Sequence, residues 1–457
     1  MQVDDWSAIR GGARSKRGVV AGGHPGEVEA GLEILAEGGN AFDAIVAANF
    51  MACVVEPAMT QVGGYTRLSG YDAKAQEAVS VDAYLRAPGA AHERLFEIDE
   101  TKPLKYYETP WTRGYSAERG FKSAGVPGLV AGLYWTQRHL GRLPWSRVLQ
   151  PAIRQAKLGV EVSWALWQRL AENRETLKDY PETFKVLFPD GRTPSAATQT
   201  AAGERLVFPH LAETLERIAA EGADGFYKGE VARRIGAFFQ ENGGILSAAD
   251  LAAYRPRVMK ERPQRYRGLD YVTCYDQVGI ECLNVLEHFD LAKLGRHSAE
   301  YFHVMAEAMA VAFTDSIQHY GDPDQGYRAV AEALANPALG AWWARQIRLD
   351  RALPRPVKAA DLQAFAFEAI EQRRDLAWPP KLQGTTQLAA ADAEGNMASV
   401  ITSISASFGS QVLVPGTGVL LNNGMGNFDP RPGRPNSIRP GAMPIFAVPT
   451  LLAYDDQ

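Results

Sequence analysis

The sequence predicts a layered α/β fold whose central sheet takes strands from both ends of the chain. Three observations predict it. Helical periodicity comes first and most often, β-like text concentrates late with one early block, and no internal repeat of about 20–50 residues breaks the chain into units. From Glu27 to Glu37, Val28, Leu32 and Leu35 lie near helical spacing, and Gly38-Gly39 stops the helix. Asp43 to Val55 is apolar nearly all round, which predicts a buried helix. Between Val62 and Ala83 the pattern turns to short strands, punctuated by Gly63-Gly64 and Gly70, with Ala78 to Val81 as a strand. Leu129–Leu140, Val148–Leu158 and Leu211–Ala220 read as helices, and Ser247 with Asp250 forms a capping box before Leu251. Tyr301 to Ile317 is a long helix closed by the turn Gly321 to Asp324. Arg351 to Leu382, charged and rich in proline, reads as an exposed connector. Thr386–Ala391 and Met397–Ser405 form two strands around the turn Asp392 to Asn396, and Val412–Val414 and Val419–Leu421 continue the β text.

Composition narrows the function. The chain has 457 residues, 46% hydrophobic and 22% charged, which excludes disordered, collagen-like and coiled-coil classes. Its 48 basic and 53 acidic side chains give a net charge of −5, so no basic face points to nucleic acid or anionic membrane. Cys53, Cys274 and Cys282 are far apart and odd in number, which supports buried reduced thiols rather than a disulfide framework or zinc ribbon. The opening Met1 to Trp6 is acidic where a secretory signal is basic and apolar, and Ala44–Val55 is too short to span a bilayer. The expectation is a cytoplasmic protein acting on a small molecule.

Histidine-centred chemistry finds no support. His24, His92, His139, His210, His288, His297, His303 and His319 show neither HExxH spacing nor a partner GxSxG serine. Gly22-Gly23 and Gly63-Gly64 are turns, not phosphate cradles. The best local signal is Gln383-Gly384-Thr385-Thr386-Gln387, where a connector meets a strand. A threonine there can attack its own preceding carbonyl and cut the chain. Its new α-amine, with a pKa of about 7.7–8, then serves as general base for its own hydroxyl. Alone, Gly-Thr-Thr before a strand is only β-propensity.

The context changes that weight, because the chain resembles the γ-glutamyltranspeptidase family along essentially its whole length. The resemblance rests on separated blocks in order. They are His24-Pro25 through Gly31, Gly38 through Ala44, Val55-Glu56-Pro57, Ser123 through Gly128, Gly225 through Gly229, and Gly243 through Tyr254. After Thr385 come Asp392 through Asn396, Ser407-Phe408-Gly409 and Leu420 through Met425. The resemblance implies an N-terminal-nucleophile hydrolase, a four-layer αββα sandwich built as a single interleaved domain. It implies a precursor cut between Gly384 and Thr385 into a large segment, 1–384, and a small one, 385–457. Thr385 falls on the nucleophile, Ser403 on a supporting hydroxyl residue, and Ser405 where the transpeptidases usually carry a ligand-binding Asn. No metal or organic cofactor is implied.

The departures bear on the substrate. The family holds the donor's α-carboxylate with an arginine, and that position falls on Tyr84, with Leu85 and Arg86 following. The acid that holds the α-amine falls on Asn427. A glycine-rich run becomes Tyr65-Thr66-Arg67, and a serine pair is missing from Arg439 through Met443. Arg67 or Arg86 could supply a new carboxylate partner; for Arg67 an exposed strand edge is an equal alternative. The family's oxyanion Gly-Gly pair follows Pro-Thr-Leu, seen here at Pro449-Thr450-Leu451, and none comes before Gln457. The apolar run Ile445–Leu452 favours a truncated C-terminus.

The leading expectation is an autoprocessing threonine amidohydrolase that cleaves a small amide through an acyl-enzyme, with water or an amine as acceptor. The alternatives are a true γ-glutamyltransferase and glutathione hydrolase with a rebuilt pocket, or an uncleaved, inactive binding protein. Acyl specificity and oligomeric state, homo-oligomer included, stay open.

Overall fold

Strand β1 (Gly18–Ala21) leads into two helices whose starts are written in local sequence. The computed structural model describes residues 13–105, 109–366, 385–445 and 450–455. His24 caps α1 (Pro25–Ala36), its Nδ1 accepting the Gly26 N–H at 3.1 Å while Glu27 accepts the His24 N–H at 2.9 Å. Asn40 and Asp43 make the same reciprocal box for α2 (Ala41–Val55), every residue of which is buried. Strands β2 (Tyr65–Asp72) and β3 (Glu77–Ala83) form a hairpin, followed by α3 (Leu129–Leu140) and a run of helices between Trp145 and Ala253. Then come β4 (Arg257–Glu261), β5 (Gln264–Tyr266), β6 (Leu269–Val272), α4 (Gln277–Leu286), α5 (Ala299–His319) and α6 (Pro337–Ala344). The chain closes with β7 (Thr386–Asp392), β8 (Met397–Ser403) and β9 (Leu452–Tyr454).

The main sheet has six strands in the order β1-β7-β8-β2-β3-β4, each antiparallel to its neighbour. Early and late strands thus interleave, as the sequence predicts. Register fixes two faces. Thr386 pairs with Thr402, and Thr402 with Thr66; Leu68, Leu388 and Val400 continue that face into the core that holds α2. On the opposite face lie Ser403, Tyr65, Arg67 and Asp82, with Ser403 opposite Tyr65 and Arg67 opposite Asp82. That face meets the second sheet, β9-β6-β5, through a 2.8 Å bond between the Ser69 and Thr450 hydroxyls and the Tyr71–Tyr454 ring pair at 4.7 Å. A second core gathers α4, α5 and α6 around Val285, Val304 and Trp343, with Tyr266 of β5 packed on it.

The structure corrects several expectations. Val148–Leu158 is two helices, Trp145–Val148 and Gln150–Leu158. Trp164–Leu177 escapes notice because only Leu166, Leu170 and Leu177 of its residues are buried, too sparse a stripe to read. The second late strand ends at Ser403, two residues early. The connector is not wholly exposed: Val357, Ala360 and Leu362 join the second core, and the Ala360 N–H donates to Asp315 at 2.6 Å. Gly384, residues 367–383, the opening Met1–Trp6, and residues 446–449 with Pro449 lie outside the described residues. Cys53 and Cys274 are buried, Cys282 is partly so, and all three are free thiols. Among the described residues no helix is long and apolar enough to cross a membrane, and no cluster of three His, Cys, Asp or Glu side chains could hold a metal ion.

Candidate active site

Thr385 stands half-buried at the start of β7, and its Oγ1 donates to Ser403 Oγ at 3.5 Å, the long limit of such a bond. Ser403 ends β8, and two residues later Ser405 turns back with a left-handed φ of 77°. That conformation is uncommon for a residue with a Cβ, and it aims the Ser405 N–H at Ser403 Oγ, 2.8 Å away. The turn is clamped from the Leu420–Met425 block. Asn423 Oδ1 accepts the Ala406 N–H at 2.8 Å, while Asn422 bonds Gly63 O at 2.9 Å and Gly125 O at 3.0 Å. Gly64 must be glycine, since a Cβ there would sit 2.4 Å from Ser403 O. Five stretches of sequence therefore come together around one hydroxyl pair.

From Ser403 a chain of neutral polar groups runs across the site. The Tyr65 hydroxyl shares a 3.0 Å bond with Ser405 Oγ and lies close to the Ser403 and Tyr84 hydroxyls. Asn427 Nδ2 donates to Tyr84 OH at 3.1 Å and to Ser405 Oγ at 3.4 Å. Burial raises both tyrosine hydroxyls above their ordinary range, so they stay protonated. The structure thus joins Tyr84 and Asn427, the two departed recognition positions, directly to each other. Ser403 and Ser405 are each 1% exposed, so neither stands on an exposed strand face.

Arg67 is neither at a strand edge nor in water. It sits in β2, between β8 and β3, and is 2% exposed. Its Nε contacts Asp82 Oδ1 at 3.1 Å, and its guanidinium lies 4.4 Å from the centre of the Tyr84 ring. Arg86 is committed to Asp82 at 3.3 Å and to Asp322 at 3.6 Å. Arg257 completes the cluster, 3.7 Å from Asp82 and 2.9 Å from Asp322. A buried cation therefore lies behind the Tyr84 ring. Met443, in the segment that lacks the serine pair, places its sulfur 3.2 Å from Arg67 Nη2.

Residues 28–457 match the gamma-glutamyltranspeptidase family. The chain belongs to that family. The Acylase ACY 1 proenzyme of Pseudomonas sp. (strain SE83) is 33% identical over 470 residues, spanning 100% of this chain and 77% of the relative. The glutathione hydrolase proenzyme of Bacillus subtilis (strain 168) is 30% identical over 454 residues, 97% of this chain and 74% of the relative. Among solved structures, the cephalosporin acylase of Bacillus halodurans superposes with a TM-score of 0.80 at 26% identity, covering 100% of this chain and 79% of that one. The Helicobacter pylori γ-glutamyltranspeptidase gives a TM-score of 0.68 at 32% identity, covering 75% and 95%.

Within this gamma-glutamyltranspeptidase framework, sequence reasoning missed Asp82, Tyr65's hydroxyl and Asp322. Asp82 carried a signal: a charge inside the apolar strand Ala78–Ala83, four residues before Arg86. Ser403→Ala is expected to leave the buried Ser405 N–H without its acceptor, at about 1–3 kcal/mol. Both Tm and kcat should drop; wild-type values in both would show that Ser403 has no such role.

Proposed function

We propose that the protein is an autoprocessing threonine amidohydrolase for an acyl group that carries no α-ammonium. The neutral Asn427–Tyr84–Tyr65–Ser403 chain carries this reading, because it stands where a γ-glutamyl donor needs one cation and one anion. The precursor cuts between Gly384 and Thr385, giving the 1–384 and 385–457 segments of a four-layer αββα sandwich. Thr385 Oγ then attacks the amide carbonyl, and its own α-amine takes the hydroxyl proton and passes it to the departing amine. Ser403 orients the attacking oxygen. The acyl ester left on Thr385 is resolved by water or an acceptor amine, and the scheme calls for no metal or organic cofactor. The relatives named as acylases support cleavage of an acyl group from an amine.

The buried guanidinium of Arg67 behind Tyr84 favours an acid or polar group on the acyl chain. The test compares γ-glutamyl p-nitroanilide with glutaryl p-nitroanilide, which differs only in lacking the amine. A lost charge-assisted contact is worth about 1.5–3 kcal/mol, or roughly 10–10² in kcat/KM. The glutaryl compound should therefore be used equally well or better. A tenfold preference for the γ-glutamyl compound would overturn the reading in favour of a glutathione hydrolase with a rebuilt pocket.

A further inference from the structure

The helix-layer face of β7 holds a second polar cluster, one residue from Thr385. Thr386 is 4% exposed, and its hydroxyl donates to Glu56 Oε2 at the end of α2. Glu56 in turn lies against Glu27 of α1, which is fully buried, with the two carboxyl groups within reach of each other. Two carboxyl groups bond each other only through a proton, so one of them is neutral. Glu27 takes the backbone N–H groups of His24, at 2.9 Å to Oε2, and of Gly23, and its buried Oε1 faces the other carboxyl. The chain passes over the pair at Gly22-Gly23: a Cβ on Gly22 would lie 2.6 Å from Glu27 Oε2, and one on Gly23 would lie 3.3 Å from Glu56 Oε1. Those glycines, a bare turn in the sequence, are what lets backbone roof the two acids.

We propose that Glu27 and Glu56 form a proton-sharing pair that positions the nucleophile through Thr386, and that loss of the shared proton turns the enzyme down at alkaline pH. The inference rests on Thr385 as nucleophile. With one proton, Glu56 accepts from Thr386 and holds the first strand residue, so the Thr385 backbone that carries the amine base keeps its place. With none, two like charges face each other under a roof that excludes water. Burial and the Glu56 charge push the Glu27 carboxyl up to about 9, so the proton is present at neutral pH. Among the described residues, the titratable groups facing the pair offer no compensating cation. His24 is held neutral, since burial lowers it and its Nδ1 is already an acceptor. The Cys53 thiol is raised by burial and is uncharged, and Glu29 adds only negative charge near His24. Glu27 and Glu56 are positioning residues; neither need touch substrate.

The experiment follows kcat of the cut enzyme on glutaryl p-nitroanilide, a donor with no amine to titrate. Wild type should fall about tenfold between about pH 8 and pH 10, following the Glu27 value near 9. In Glu27→Gln, which cannot ionise, the same ratio should stay within about twofold. If Glu27→Gln fails to fold or to cut, Thr386→Val decides: it severs the pair from the strand and should lower kcat about tenfold with KM little changed. A fall that persists in Glu27→Gln, its absence from wild type, or wild-type kcat in Thr386→Val overturns the proposal. A wild type that never cuts at Thr385 instead removes the nucleophile reading itself, so the two failures are separable.

Discussion

Thr385→Ala is expected to leave a single uncut chain on a denaturing gel, whereas wild type should resolve into two. The effect should be all-or-none, because in the proposed scheme one hydroxyl serves twice, first in the cut and then in turnover. Removing a nucleophile that acts as a unit with its base costs roughly six orders of magnitude in kcat. Thr385→Ser keeps the hydroxyl and should still cut. Thr386→Ala is the control for position. Its hydroxyl faces the helices, where Glu56 accepts it, while Thr385 faces Ser403. The cut should therefore survive Thr386→Ala and be lost only with the residue before it. After the cut, kcat should rise with pH through about 7.7–8 as the α-amine loses its proton. Cleavage at another bond, or full activity from an uncut wild type, would sink the reading. An uncut and inactive wild type would instead favour a binding protein on this scaffold.

How far the sequence could be read depends on whether a signal was local. The capping box of Ser247 with Asp250, and the glycine stop at Gly38-Gly39, depend on residues within one turn, and the structure has helices in those places. The interleaved sheet was legible because its strands sit at the two ends of the text. Thr385 and Ser403 were legible through ordered motifs, and the structure brings them within 3.5 Å. What could not be read was pairing across distance. Arg67 looked like a cation in a strand; only the register that sets it opposite Asp82 makes it a buried ion pair. Glu27 stood in the sequence only as the start of a helical stretch, and in the structure it caps the first turn of α1. Its second role needs Glu56, which lies 29 positions further on and is brought alongside only when α1 packs on α2.

Asp82→Asn is expected to cost about 3–5 kcal/mol of stability, the price of breaking a buried ion pair on one side. Asp82 is fully buried and faces Arg67 at 3.1 Å, Arg86 at 3.3 Å and Arg257 at 3.7 Å, while the Tyr84 N–H donates to it at 3.3 Å. Burial alone would raise its carboxyl; the three guanidinium groups prevail and hold it below the ordinary value. A depressed carboxyl contributes stability above its unfolded pKa of about 3.9, and that contribution is lost as pH falls through the folded value. Asparagine keeps the shape and removes the charge, so buried Arg67 then faces an amide. Against a net stability of about 5–15 kcal/mol the change is large. Urea unfolding should show a wide gap between wild type and variant near neutral pH and a narrower one in acid. A neutral-pH difference under about 1 kcal/mol would refute the argument. The double variant Arg67→Met with Asp82→Asn removes both charges and should regain part of the loss, since the two sites are coupled. It also takes the cation from behind Tyr84. If that cation's field selects an acidic acyl group, the folded double variant should use glutaryl p-nitroanilide less well relative to butyryl p-nitroanilide. Recovered stability with unchanged selectivity would confine Arg67 to holding the sheet together.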